Sequence, residues 1–205
     1  MPIDPSAQIA PTARIHPGAI VGPGVRIGEY CVVEEDVVLG PGCRLEPYVY
    51  VKRWTSLGRD NEISAGAALG TDPQDKNFSG VRSYLRIGDG NKIREHATAS
   101  RGTPPESATE IGNGNFFMTS CHIAPNGKIG DDAAIAACAL LGGYVEIEDH
   151  ASSKSFDFNA EASATARRER KGAGFRCCAD GDFVCGPGQI LEFRAERYAR
   201  IIQNA

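Results

Sequence analysis

An aliphatic residue or Phe recurs at every sixth position of this chain from Ile3 to Ile147. The series runs through Ile9, Ile15, Val21, Ile27, Val33, Leu39, Leu45, Val51, Leu57, Ile63 and Leu69. It resumes at Val81, Ile87 and Ile93 and continues through Ile111, Phe117, Ile123, Ile129, Ile135, Leu141 and Ile147. Of its 25 positions, 22 carry Ile, Val, Leu or Phe, and Asp75, Ala99 and Pro105 break it. These four residue types make up 43 of 205 residues, so chance would fill roughly five positions. A Gly follows the series residue at Gly22, Gly28, Gly40, Gly58, Gly70, Gly88, Gly112, Gly130 and Gly142.

A six-residue period does not keep to one face of a 3.6-residue helix, and runs such as GPGVRIG place Pro and Gly where helices break. It is the signature of a parallel β-helix, an all-β solenoid in which each hexad supplies a short strand and a turn. Three hexads, about 18 residues, complete one triangular coil, and successive coils stack about 4.8 Å apart around an aliphatic column. The Gly after each series residue is expected at a corner, where it accepts φ > 0 without a Cβ clash.

The net charge of −4 and the lack of a basic stripe argue against nucleic-acid binding. No apolar run approaches the ~18–20 residues of a membrane span, and the start MPIDPSAQIA has neither the charged region nor the apolar core of a secretory signal. The expectation is a cytoplasmic protein. Seven cysteines without a CxxC pair fit free thiols: Cys31, Cys43, Cys121 and Cys138 fall between series residues, and Cys177, Cys178 and Cys185 lack neighbouring His partners for a metal.

Beyond Ile147 the period fails. Residues 1–150 carry 13 Lys and Arg against 19 Asp and Glu, while residues 151–205 carry 9 against 7. The expected organisation is a β-helix over 1–150 and a polar tail over 151–205. The tail should end in a helix near 188–204, where Ile190, Leu191, Phe193, Tyr198, Ile201 and Ile202 share one face. Two excursions, 71–86 and 101–110, interrupt the regular hexads with Pro-, Asp- and Gly-rich sequence. Loops carried by a rigid repeat are where binding groups concentrate.

The strings GRDNEISAGAALGTDPQDKNFSG, IGDGNKIREHATASRGT and IGNGNFFMTSCHIAPNGKIGDDAAIAACALLGGYVEI occur in that order. Over about residues 1–150 they resemble the acyl-carrier-protein-dependent UDP-N-acetylglucosamine O-acyltransferases of lipid A biosynthesis. The resemblance implies a left-handed coil, a homotrimer with active sites between subunits, and transfer of a hydroxyacyl chain from acyl carrier protein to a nucleotide sugar. It implies no resident cofactor or metal.

Such chemistry needs a base near the sugar hydroxyl and donors for the thioester oxyanion. By the resemblance, Gln74 and Asp75 lie on the sugar, His122 touches the substrate, and the Gly143 amide serves the oxyanion. Ser100, Arg101 and Tyr144 fall at further substrate-binding positions. The family's base is the second His of an HIAH string, which here reads His122-Ile123-Ala124-Pro125. Ser100 stands where the family favours His or Asn, Tyr144 stands where it usually has His, and its later Gln/His segment has no counterpart. From the residues alone, Asp75 reads equally as a turn residue, Gly142 and Gly143 as corner glycines, and Arg101 as a hinge residue pairing with a carboxylate. The expectation is an acyltransferase with a weakened chemical step; the alternative is a non-catalytic paralogue that keeps nucleotide-sugar or trimer-partner binding.

Overall fold

A computed structural model of the chain describes residues 3–76 and 78–152 and, further along, the two-residue strands Thr165–Ala166, Arg176–Cys177 and Phe183–Val184. The described residues wind into a left-handed parallel β-helix of three faces. On each face the six-residue series becomes a straight inward column. On the first, Ile9, Ile27, Leu45, Ile63, Ile93, Phe117 and Ile135 pair in succession. On the second, Ile15, Val33, Val51, Leu69, Ala99, Ile123 and Leu141 do so. On the third the column is Val21, Leu39, Leu57, Ile87, Ile111, Ile129 and Ile147. The strand Thr165–Ala166 pairs with Glu146–Ile147 and extends the third face. The expected helix near 188–204 lies outside the described residues.

A second inward position, two residues before each series residue, escaped the sequence reading. Ala19, Val25, Cys31, Val37, Cys43, Val49, Ala67, Ala97, Cys121, Ala133 and Ala139 fill it, all buried. Each large aliphatic side chain buried in the column contributes about 1.5–3 kcal/mol. Cys31, Cys43 and Cys121 are thus core residues carrying unpaired thiols, and Cys138 is unpaired and exposed. Burial raises the Cys121 thiol to about 12, so it stays protonated.

The same inward position holds Asn61, Asn91 and Asn115 in three consecutive coils, fully buried or nearly so. They form a ladder. Asn61 Oδ1 accepts from Asn91 N and Nδ2 at 2.9 and 3.0 Å, and Asn91 Oδ1 accepts from Asn115 N and Nδ2 at 2.9 Å each. Asn115 Oδ1 then accepts from Ala133 N at 2.7 Å. Buried amides are tolerated because every rung is partnered.

The glycine expectation is corrected. Among the glycines that follow series residues, Gly70 has positive φ, whereas Gly22, Gly28, Gly40, Gly58, Gly88, Gly112 and Gly130 do not. They are needed for space. A Cβ on Gly40 would lie 2.3 Å from the Gly58 carbonyl oxygen, and one on Gly28 would lie 2.8 Å from Pro47 N. The left-handed corner comes two residues later, largely in non-Gly residues: Tyr30, Asp36, Tyr48, Asp60, His96, Ser120, Asn126, Asp132 and Tyr144, with φ between 53 and 64°. Each costs roughly 1–2 kcal/mol of backbone strain. Main-chain bonds to the coil below hold them, as in Tyr48 N to Glu29 O at 3.0 Å and Asp60 N to Pro41 O at 2.8 Å.

Coil partners are 18 residues apart in the regular part, 30 apart across the first excursion and 24 across the second. Both insertions are multiples of six, which is why the series resumes in phase. The strands Tyr84–Ile87 and Ala108–Ile111 narrow the excursions to 72–83 and 101–107. Val81, counted in the series, lies outside any strand and outside the core.

Two stability outcomes are expected. Gly40→Ala should destabilise by about 1–3 kcal/mol or more, because the atoms it meets are main chain. Gly24→Ala, with φ +66° and open space, should cost only about 1 kcal/mol; urea unfolding ranks the two. Asn91→Leu should cost roughly 2–5 kcal/mol by orphaning two donors of Asn115, read in the same assay.

Candidate functional site

The second face carries the site. Its outward positions run Arg14, Val32, Tyr50, Ala68, Thr98, His122 and Leu140, a column without formal charge beyond Arg14 apart from the imidazole. Where this face meets the loops, Gln74, Asp75, Thr103, His122, Ala124, Pro125, Gly143 and Tyr144 line a groove of about 470 Å³. Five of the expected site residues, far apart in sequence, therefore meet: Gln74, Asp75, His122, Gly143 and Tyr144.

His122 sits in register between Thr98 and Leu140, half-buried. Its Nδ1 is 2.8 Å from Thr98 Oγ1, which fixes the ring and leaves Nε2 as the nitrogen able to exchange a proton with a ligand. Burial lowers its pKa from the ordinary value, so the ring is neutral near pH 7. The neighbouring corners are shaped by Pro125 and Tyr144. The Pro125 carbonyl accepts from Tyr144 N at 3.0 Å, and Tyr144 is exposed at positive φ. A Cβ on Gly143 would stand 3.3 Å from the Pro125 carbonyl oxygen, so the glycine relieves a tight contact at this corner of the groove. Pro125 supplies no titratable group.

Asp75 and Gln74 come from the first excursion. The Asp75 carbonyl accepts from Phe78 N at 3.0 Å, closing a short turn around the loop tip. Thr103 comes from the second excursion, where its N–H donates to Asn126 Oδ1 at 2.9 Å while Asn126 N donates to Thr109 Oγ1 at 2.9 Å. Thr98 and Thr103 were not anticipated as site residues. Thr103 stands inside the RGT string, but Thr98 is recognisable only through its register with His122.

Ser100 and Arg101 do not line the groove. Ser100 is fully buried and its hydroxyl lies 3.1 Å from Thr71 Oγ1. Arg101 is 3% exposed; its Nη1 lies 2.6 Å from Asp72 Oδ1 and donates to the Gly70 carbonyl at 3.3 Å. Both of these expected substrate-binding residues are buried off the groove, and Arg101 pairs with the Asp72 carboxylate. Among the described residues no group of three or more His, Cys, Asp or Glu is arranged to hold a metal ion, and no helix is long and apolar enough to cross a membrane.

The sequence model for the bacterial transferase hexapeptide (six repeats) matches residues 6–41. The acyl-[acyl-carrier-protein]–UDP-N-acetylglucosamine O-acyltransferase of Tolumonas auensis is 46% identical over 135 residues, 65% of this chain and 51% of that protein. The same-named protein of Gloeothece citriformis is 42% identical over 103 residues, covering 50% and 37%. Among solved structures, the UDP-N-acetylglucosamine O-acyltransferase of Moraxella catarrhalis superposes with a TM-score of 0.62 at 35% identity, over 74% of this chain and 57% of that one. The Arabidopsis UDP-N-acetylglucosamine acyltransferase superposes with a TM-score of 0.57 at 35% identity, over 73% and 58%. The chain spans about half the length, or less, of the curated relatives it matches. The β-helix of this chain is similar in sequence and in fold to the acyl-[acyl-carrier-protein]–UDP-N-acetylglucosamine O-acyltransferases over about half of their length.

Proposed function

We propose that the groove binds a nucleotide sugar of the UDP-N-acetylglucosamine type and is laid out for acyl transfer from acyl carrier protein to a sugar hydroxyl, with a weakened chemical step. The observation that carries this reading is the convergence of Gln74, Asp75, His122 and Gly143 on one groove of sugar dimensions. Asp75 and Gln74 accept and donate hydrogen bonds to sugar hydroxyls. The hydroxyl oxygen attacks the thioester carbonyl, its proton passes to a base, and the carrier thiol leaves with a proton returned from that base. The Gly143 N–H stabilises the oxyanion in between, a contribution that is large where the donor is fixed beforehand.

The base is the weak part. Pro125 occupies the position at which the resemblance puts a histidine, and removal of a general base typically costs about 10²–10⁴ in rate. His122 is the imidazole left in the groove. In the tautomer that donates Nδ1–H to the Thr98 hydroxyl its Nε2 carries the lone pair, and neutrality near pH 7 suits it to the role. A ligand must then lie nearer to His122 than to Pro125.

The same reading extends to assembly. From Val32 to Leu140 the outward column of the second face is uncharged apart from the imidazole, and with Leu140 and Tyr144 46% and 57% exposed beside the groove it suits contact with a second copy, in keeping with a homotrimer whose subunits close the groove between them. The donor is acyl carrier protein, no resident cofactor is required, and the setting is the cytoplasm. Pro125 favours one second reading, a non-catalytic paralogue that retains binding without turnover.

Titration with UDP-N-acetylglucosamine should give binding that Asp75→Asn weakens roughly tenfold or more, since a hydrogen bond to a charged group contributes about 1.5–3 kcal/mol. Absence of binding overturns the groove assignment. In acyl-transfer assays the native chain should turn over slowly and Pro125→His should raise the rate by about 10²–10⁴. Fast native turnover refutes the weakened step, while no turnover in either protein selects the paralogue reading.

The His122 imidazole should titrate below ~6.5 in an NMR pH series. Its folded value is depressed, so the neutral ring's contribution to stability is fully present above the unfolded value of ~6.5 and is lost as pH falls through the folded value. Sugar binding that uses the neutral ring should decline over that same window. A midpoint at or above 6.5 contradicts the buried, neutral His122.

A further inference from the structure

Arg101 is buried at the root of the first excursion, beside Gly70 and Asp72. We propose that Arg101 is a positioning residue that sets the first excursion, and through it Gln74 and Asp75, without touching substrate. The inference rests on the nucleotide-sugar reading of the groove.

The excursion leaves the strand Ala68–Thr71 and returns at Tyr84–Ile87. Arg101 grips it at three places. At the root, Nη1 donates to the Gly70 carbonyl at 3.3 Å. On the outgoing limb, Nη1 is paired with Asp72 Oδ1 at 2.6 Å, while Asp72 Oδ2 takes Lys52 Nζ at 2.9 Å. Beyond the tip, the guanidinium lies 5.2 Å from the Phe78 ring centroid and 5.0 Å from that of Trp54. Asp75 lies between Asp72 and Phe78, and its carbonyl accepts from Phe78 N at 3.0 Å. Fixing the two flanking residues fixes the carboxylate between them.

Chemistry explains why the residue is Arg. One guanidinium reaches Asp72 and the Gly70 carbonyl through Nη1 while its Cζ lies over the Trp54 and Phe78 rings, a combination of contacts that an ammonium does not match. Burial alone pushes the Asp72 carboxyl up, but the Lys52 hydrogen bond and the Arg101 and Lys52 charges outweigh it, leaving the net below the usual carboxylate value. Asp72 therefore stays ionised and the grip holds throughout the neutral range. The second excursion is locked by the same segment: Arg101 N donates to the Thr71 carbonyl at 3.0 Å, and Gly102 N to the Tyr84 carbonyl at 3.1 Å. The Arg101 backbone and side chain thus tie both excursions to one point. Arg101 Nε–H is buried with no partner among the described residues. A leucine of similar bulk would carry no such penalty, so packing alone does not account for an arginine here.

The test reads the loop and the ligand separately in the full chain. Hydrogen–deuterium exchange without ligand should show peptides spanning 72–83 exchanging at least tenfold faster in Arg101→Gln and in Phe78→Leu. Core peptides spanning 116–135 should be unchanged, as should all peptides in the surface control Arg59→Gln. Titration with UDP-N-acetylglucosamine should show affinity falling about tenfold or more in the first two variants. Arg101→Lys keeps the charge on Asp72 but not the stacking, and should fall between. Unchanged exchange over 72–83 in folded Arg101→Gln and Phe78→Leu overturns the proposal, as does faster exchange with affinity unchanged within twofold. If the native chain binds no nucleotide sugar, the functional reading fails, and the exchange arm still decides whether Arg101 holds the loop. Should Arg101→Gln not fold, Phe78→Leu and Asp72→Asn carry the same two readouts.

Discussion

Main-chain pairing between residues one coil apart governs the rest of the molecule. Each short strand bonds to the strand above and the strand below, so a side chain's height and facing are set by the ladder rather than by its own contacts. Strands of two residues have little stability alone. Stacked seven deep on three faces with a dry aliphatic column behind them, they become a rigid rod. The glycines beside the series residues permit that spacing, because main chains of successive coils pass there at distances that leave no room for a Cβ.

Because the ladder is strict, chemistry is assembled by register. His122 stands over Thr98 because their strands pair, and the imidazole gains its hydroxyl partner from that pairing. The two excursions leave the coil without changing the phase of the later hexads, so the loops bearing Gln74, Asp75 and Thr103 can be elaborate while the column behind them continues unbroken. The polar material inside the rod obeys the same geometry. Asn61, Asn91 and Asn115 form a satisfied ladder because they share one column; a single asparagine at any of these positions would have lacked its rung partner.

Much of this was legible from spacing. The six-residue series placed the core residues correctly except at Val81, with Ala99 filling its inward slot despite its small size and Asp75 and Pro105 falling in loops. The groove residues Asp75, His122 and Gly143 were legible only through a family resemblance, since a single Asp in an Asn-rich loop and a single strand His carry no signal of their own. Other features were misread for physical reasons. Glycine has two uses, left-handed φ and close approach, and sequence does not distinguish them; here spacing between coils decided most cases. Ser100 and Arg101 look like polar loop residues, yet the two excursions pack on each other and bury both. Thr98 was missed because its role depends on a partner one coil away.

The amino-acid sequence alone determined the periodic core, the in-phase insertions and the presence of a proline, with no titratable group, at position 125, because each is a property of order along the chain. The tertiary structure decided which outward residues share a column, which glycines make room rather than turn, and that Arg101 is buried off the groove instead of lining it. Those outcomes depend on how successive coils stack and how two loops pack against each other. Contacts between residues 20 to 31 positions apart, such as Lys52 with Asp72 and Gly70 with Arg101, settle them, and nothing in the local spacing of either partner encodes the meeting.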